Sequence, residues 1–174
     1  MELSTAIHLI ERGILNSNES QRWADLGAGN GLFTRALGSL LPINSSIVAV
    51  DQNAAALKSI QWDIRNVSLT TQVDNFASIT WGEDFDGILM ANALHYVKDQ
   101  IQFLTKAKTK LSPVGRILIV EYERQRANSW VPYPITFAQL KEMTMKVGFS
   151  HIEKLEEVPS IYDRGSIYSS ILAL

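Results

Sequence analysis

The sequence predicts an α/β fold in which a mostly parallel β-sheet is covered by helices on both faces. From Trp23 onward, short runs rich in β-branched residues alternate with stretches of helical periodicity, and turn-forming residues separate them. The end of the chain differs, because two strand-like runs, 149–159 and 165–174, follow each other without a helix. That order is typical of an antiparallel hairpin at a sheet edge.

The predicted elements follow in order along the chain. Strands are predicted at 22–26, 46–51, 67–73, 85–91 and 115–121, and helices at 3–15, 32–41, 53–65, 98–111 and 137–147. Within 98–111 an apolar face toward the sheet is predicted from Ile101, Leu104, Ala107 and Leu111. The stretch 122–136 lacks usable periodicity, so we predict a long loop, and loops of that length are often functional.

Composition excludes several classes of protein. A length of 174 residues with 46% hydrophobic residues suits one domain, which we expect to span 1–174. The net charge is −2 and no basic tract occurs, so no nucleic-acid partner is expected. The absence of cysteine excludes disulfides and thiol nucleophiles, and His8 and His151 have no partner at a metal-ligand spacing, so no metal site is expected. Neither a signal peptide nor a membrane span is evident, and we expect a cytoplasmic protein without membrane contacts.

A glycine-rich turn at 23–31, WADLGAGNG, follows the first strand and precedes a helix. Glycines at such a turn allow positive φ angles and let a ligand approach the backbone closely. Enzymes that bind dinucleotides need the spacing GxGxxG, but Leu32 occupies the position of the third glycine. The turn therefore reads as an acidic residue, Asp25, followed by GxGxG.

This pattern resembles that of class I, Rossmann-like S-adenosylmethionine (SAM)-dependent methyltransferases, and the resemblance covers nearly the whole chain. It implies a three-layer α/β/α sandwich with a seven-stranded sheet in which the last strand is antiparallel and lies between strands five and six. It also implies an N-terminal helical cap at 1–21, a cofactor-binding core at 22–121, and a substrate-side loop, helix and hairpin at 122–174. A fourth strand ending in ANAL, rather than NPPY or DPPY, counts against enzymes that methylate the amino groups of adenine or glutamine.

The resemblance also assigns the cofactor contacts. Asp25 suits the ammonium group of SAM, Asp51 the ribose hydroxyls, Asp74 the adenine amino group, and Asn92 the methionine part. The remaining predicted contacts are Gly27, Ala28, Gly29, Gly31, Gln52, Asn75 and Phe76. Taken singly, each acid has a structural alternative, because Asp25 also suits a helix cap and the others suit solvated strand ends.

The candidate catalytic residues are His95, Tyr96 and Glu121, each with a structural alternative. The expected reaction is methyl transfer from SAM to a small-molecule acceptor by in-line displacement, leaving S-adenosylhomocysteine (SAH). Two alternatives stay open: a SAM-binding regulatory or partner subunit without activity, and an NAD-dependent oxidoreductase. Neither the acceptor atom nor the oligomeric state follows from the sequence.

Overall fold

The computed structural model describes residues 1–15, 17–78, 84–160 and 165–174. The helices are α1 (Leu3–Ile10), α2 (Leu32–Leu40), α3 (Ala54–Lys58), α4 (Gln100–Lys108) and α5 (Phe137–Val147). The strands are β1 (Arg22–Leu26), β2 (Ser45–Asp51), β3 (Val67–Val73), β4 (Phe85–Ala91), β5 (Leu111–Tyr122), β6 (His151–Pro159) and β7 (Ser166–Ala173). Short 3₁₀ turns span Glu11–Gly13 and Leu94–Tyr96. No helix in these ranges is long and apolar enough to cross a membrane.

The seven strands form one sheet in the order β3-β2-β1-β4-β5-β7-β6. Strands β1 to β5 pair in parallel, whereas β7 runs antiparallel to both β5 and β6. The predicted architecture is therefore confirmed, including the insertion of the last strand between the fifth and sixth. In such a sheet the carboxyl ends of the parallel strands share one edge, where ligands of open α/β folds bind.

Two apolar cores pack against opposite faces of the sheet. Side chains of β4 and β5 alternate between them: Ile88 and Ile117 belong to the core beneath α4 and α5, and Leu89 and Leu118 to the core beneath α1 and α2. A strand buried on both faces reads as a continuous apolar run, which is why these strands were predictable from the sequence.

Helix α3 is shorter than the predicted helix over 53–65. The Asn53 side chain caps its first turn, and the helix ends at Lys58. Beyond it, Trp62 and Ile64 pack against the core beneath α2, and a Cβ on Gly38 would lie 2.3 Å from Trp62 and 2.8 Å from Ile64. Side chains two residues apart point to the same side of an extended chain but to different sides of a helix. Because Trp62 and Ile64 both pack against this core, the segment that holds them is not helical.

The prediction for 98–111 was wrong at both ends. Ile101 is 40% exposed rather than facing the sheet, because the buried face of α4 is formed by Gln100, Phe103, Leu104 and Ala107. Leu111 lies in β5 and pairs with Phe85, and a register irregularity separates this pair from Gly87 and Arg116. β5 thus begins four residues earlier than the predicted 115, with Pro113 inside the irregular stretch.

Candidate functional site

The glycine turn between β1 and α2 is built from three left-handed glycines, Gly27, Gly29 and Gly31. The backbone N–H of Gly27 donates to the carbonyl of Val50 on the neighbouring strand at 2.8 Å, which anchors the turn to the sheet. A Cβ on Gly29 would meet no atom within 4 Å, so the backbone there is open to a ligand. The turn borders a cavity of about 420 Å³, the turn cavity, whose wall includes Asp25, Gly27, Ala28, Gly29 and Asn92.

Asp25 is a buried carboxyl at the end of β1, 1% exposed. Its Oδ2 accepts a hydrogen bond of 2.6 Å from the Thr34 hydroxyl on α2. Burial raises the pKa of Asp25 from 3.8 to about 7, the Thr34 hydrogen bond opposes this, and the negative charge of Asp51 adds to it. A buried carboxylate without a cationic partner is costly, so this site favours a ligand that brings a positive charge.

Asp51 ends β2 and reaches the glycine turn. Its Oδ2 accepts a hydrogen bond of 2.8 Å from the Gly29 backbone N–H, and its Oδ1 accepts one of 2.8 Å from that of Asn53. A carboxylate has about four lone-pair sites, so each oxygen retains capacity for a further donor. Asp51 thus fixes the turn and remains able to accept from a ligand.

Asn92 follows β4 and belongs to the walls of two cavities, the turn cavity and a second cavity of about 540 Å³. Its backbone has φ +52, a conformation that Asn adopts more readily than most side chains. Its side-chain Oδ1 is buried and accepts no hydrogen bond from any residue that the structure describes. A buried acceptor left in this state marks a place where a donor group of a ligand fits.

The second cavity, here called the aromatic cavity, is lined by side chains from the segment after β4, the end of β5 and the 123–136 loop. Its lining residues are Asn92, His95, Tyr96, Tyr122, Arg124, Asn128, Trp130 and Val131. Tyr96 is 55% and Trp130 77% exposed, whereas Val131 is buried and anchors the loop. The volume of the aromatic cavity, about 540 Å³, falls within the range of sites that bind small molecules.

His95 in the wall of the aromatic cavity forms a buried pair with Glu121, which lies behind it; the two side chains are 2% and 1% exposed. The Glu121 Oε2 lies 2.7 Å from His95 Nδ1, and its Oε1 accepts from the His95 backbone N–H at 3.1 Å.

Burial and the nearby charges of Glu121 and Glu123 raise the pKa of Tyr168, so its hydroxyl remains protonated and donates to the Ile135 carbonyl at 3.0 Å.

Residues 24–117 match the family model described as a methyltransferase domain. The chain belongs to this methyltransferase domain family. The ubiquinone/menaquinone biosynthesis C-methyltransferase UbiE of Pectobacterium atrosepticum is 26% identical over 110 residues, which cover 60% of this chain and 44% of that protein. The homologue of the same name in Proteus mirabilis is 28% identical over equal shares. The chain thus spans less than half the length of these curated relatives.

Solved methyltransferases share the fold of this methyltransferase domain. A phosphoethanolamine N-methyltransferase of Haemonchus contortus, in complex with SAM, aligns with a TM-score of 0.75 at 16% identity, over 98% of this chain and 52% of that one. The 1,6-didemethyltoxoflavin-N1-methyltransferase of Burkholderia thailandensis, with bound SAH, aligns with a TM-score of 0.73 at 19% identity, over 98% and 77%. The predicted resemblance to class I SAM-dependent methyltransferases is confirmed.

Not all predicted contacts lie at the turn cavity of this methyltransferase domain. Gln52 and Asn75 are exposed at the ends of their strands. The side chain of the half-buried Asp74 accepts hydrogen bonds from the Asn75 backbone N–H at 2.7 Å and from the Gln72 side-chain amide at 3.3 Å. The backbone N–H of Asp74 donates to the backbone carbonyl of Asp51. Phe76 is a core side chain, 7% exposed, packed edge-on against Phe103 with ring centroids 5.9 Å apart.

Several residues of the site escaped the sequence analysis. Thr34, nine residues after Asp25, is a buried polar residue on the sheet-facing side of α2, and that position was a usable signal. Met1 and Ile167 also line the turn cavity, but they come from the two ends of the chain and no local pattern links them to the glycine turn. Among the described residues, no three His, Asp or Glu side chains are grouped to hold a metal ion.

Proposed function

We propose that the chain binds SAM in the turn cavity and acts as a SAM-dependent methyltransferase on a small molecule held in the aromatic cavity. The observation that carries this proposal is that the two cavities share one wall residue, Asn92. Donor and acceptor sites that adjoin satisfy the main requirement of an in-line displacement, because alignment of the reactants alone contributes on the order of 7 to 11 kcal/mol.

The residues of the turn cavity fit the chemistry of SAM. The buried carboxyl of Asp25 and the unpartnered Oδ1 of Asn92 suit an ammonium group, and the open backbone at Gly29 allows close approach. We assign the ribose hydroxyls to Asp51, whose neighbour Gln52 we place beside the adenine. We assign the adenine amino group to Asp74, with Asn75 beside it, and to Phe76 only a role in packing beneath Gly27. When bound, SAM supplies an activated methyl group to a nucleophilic atom of the acceptor.

This assignment of the cofactor contacts gives each segment of the chain a role. We propose that residues 22–121 hold the cofactor, that 122–174 form much of the acceptor side, and that 1–21 cover the sheet near the site. Met1 and Ile167 extend the cofactor side beyond 22–121. The relatives support a small acceptor, because the Burkholderia enzyme was solved with 1,6-didemethyltoxoflavin and UbiE is a methyltransferase of ubiquinone and menaquinone biosynthesis.

Calorimetry with SAH and with NAD tests the cofactor assignment. We expect SAH to bind and NAD to bind more weakly or not at all, and a preference for NAD would overturn the proposal. Incubation with methyl-labelled SAM and a pool of small metabolites then tests the activity. Binding of SAH without label in any acceptor would instead favour a regulatory or partner subunit.

A further inference from the structure

The wall of the aromatic cavity carries a fixed positive charge. Of the described side chains that line it, Arg124 alone stays charged at every physiological pH. We propose that the acceptor bears a single carboxylate, that Arg124 binds this carboxylate, and that an aromatic ring of the acceptor lies against the aromatic side chains of the cavity. The inference rests on the proposed function and adds to it the chemical class of the acceptor and the residue that selects it.

A tight turn at the end of β5 brings Arg124 to the cavity. Its backbone N–H donates to the Tyr122 carbonyl at 2.8 Å, and its side-chain Nε donates to the Arg126 carbonyl at 3.0 Å. A guanidinium carries five N–H donors in one plane, and the hydrogen bond to Arg126 uses one of them to fix that plane. The half-buried guanidinium is therefore oriented by the protein before a ligand binds.

The two carboxylates nearest to Arg124 in the sequence are directed away from the cavity. Glu121 is buried, and both of its oxygens contact His95. The Oε2 of Glu123 accepts from the Phe137 backbone N–H at 3.1 Å. Neither acid lines the aromatic cavity, so a ligand there meets the charge of Arg124, with His95 adding a second positive charge only when it is protonated.

The balance of charge favours a carboxylate over a phosphate. At pH 7 a carboxylic acid with a pKa of about 4 carries one negative charge, whereas a phosphate monoester carries about −1.5 to −2. One guanidinium neutralises the first group but leaves part of the second uncompensated, and an uncompensated charge is costly against aromatic walls. The planar guanidinium also binds the two oxygens of a carboxylate through two parallel N–H···O hydrogen bonds.

Aromatic side chains form much of the remaining wall. The Tyr96 and Tyr122 rings lie with their centroids 4.3 and 6.1 Å from that of His95. The ring of Trp130 is exposed, but its backbone is held in a turn, because the Asn128 side chain accepts from the Trp130 backbone N–H at 2.9 Å. Rings with centroids about 4.5 to 7 Å apart attract each other beyond simple burial, so the body of the acceptor is expected to be aromatic.

Binding of model acids to the complex with SAH tests the acceptor class without turnover. By calorimetry at pH 7 we expect 2-naphthoate to bind at least about tenfold more tightly than 2-naphthamide, which has nearly the same shape but no charge. It should also bind more tightly than its saturated counterpart decahydro-2-naphthoate, and at least as tightly as 2-naphthyl phosphate.

Each comparison has a result that contradicts the inference. Equal binding of 2-naphthoate and 2-naphthamide, or no binding of 2-naphthoate while SAH binds normally, overturns the carboxylate and leaves the proposed function standing. Equal binding of the saturated acid overturns the aromatic body, and tighter binding of the phosphate overturns the single charge. Failure of SAH to bind would overturn the proposed function itself.

Substitution of Arg124 tests the residue. Arg124→Gln should weaken the binding of 2-naphthoate at least about tenfold and leave the affinities for 2-naphthamide and SAH unchanged. Arg124→Lys keeps the charge but loses the planar fork, so it should recover part of the loss. The matched control is Arg126→Gln, at an exposed arginine whose backbone carbonyl still accepts from Arg124, and it should bind 2-naphthoate normally. Equal losses for 2-naphthoate and 2-naphthamide in Arg124→Gln, or equal losses of 2-naphthoate binding in Arg124→Gln and Arg126→Gln, would overturn the assignment.

Discussion

Replacing Asp25 by Asn should stabilise the free protein and weaken its binding of SAH. The carboxyl is buried, and its pKa is raised from 3.8 to about 7. Between these two pH values the folded chain holds a proton that the unfolded chain has lost, so the free energy of unfolding falls as pH rises. At about 1.4 kcal/mol per pH unit over roughly 3 units, the ionised carboxyl costs the free protein up to about 4 kcal/mol above pH 7.

Urea unfolding of the cofactor-free protein measures this cost. Asn has nearly the same shape and can still accept from Thr34. The stability gap between Asp25→Asn and the original chain should therefore be small at pH 4 and grow toward its maximum by pH 8. Asp63→Asn, at an exposed carboxylate, is the matched control and should produce no such trend. Parallel pH profiles for the original chain and Asp25→Asn would refute the argument.

The same carboxyl makes cofactor binding depend on pH. An ammonium group needs the ionised form of Asp25, so the affinity for SAH should rise up to tenfold per pH unit toward pH 7 and then level off. Calorimetry should detect proton release below pH 7. In Asp25→Asn the affinity should be lower by about 1.5 to 3 kcal/mol above pH 7 and nearly independent of pH. A flat profile in the original chain would place the ammonium group elsewhere.

Three further substitutions probe the site and its scaffold. Asp51→Ala should weaken SAH binding by about 1.5 to 3 kcal/mol in calorimetry, and unchanged affinity in a folded variant would contradict the ribose assignment. Gly87→Ala places a Cβ 2.3 Å from the ring of Trp23, so the free energy of unfolding in urea should fall by about 1 to 3 kcal/mol. An unaltered urea midpoint would show that the Trp23 ring can move aside. Tyr168→Phe removes the hydroxyl that donates to the Ile135 carbonyl, so the thermal midpoint should fall and the free energy of unfolding should decrease by about 1 kcal/mol. A gain in stability would indicate that water hydrogen-bonds to the carbonyl in place of the hydroxyl.

The parallel strands were predictable because their sequence carries its own signal. β1, β3 and β4 begin and end at the predicted residues; β4 is largely apolar, β3 carries four β-branched residues, and the glycine turn follows β1 directly. The helices next to them were less predictable, because their ends depend on packing. α3 ends at Lys58 although the prediction ran to residue 65, and beyond it the indole N–H of Trp62 donates to the Val67 carbonyl at 3.1 Å, a contact that a local pattern does not reveal.

The site shows the same division between local and distant signals. The glycine turn and Asp25 are contiguous in sequence, so their proximity was predictable. The pairing of His95 with Glu121 joins residues 26 positions apart on different elements, so no local pattern linked these two catalytic candidates to each other. Glu121 is buried against His95, whose Nδ1 and backbone N–H lie within hydrogen-bond distance of its two carboxylate oxygens.

The position of Asn92 has a thermodynamic consequence. Because the Asn92 side chain borders both cavities, a ligand that fixes its orientation from one cavity changes the affinity of the other cavity for its own ligand. Such linkage is reciprocal: if SAH tightens acceptor binding by some factor, the acceptor tightens SAH binding by the same factor. Substitution of Asn92 would then alter the cooperativity between the two ligands as well as each separate affinity, and a double titration measures that coupling directly.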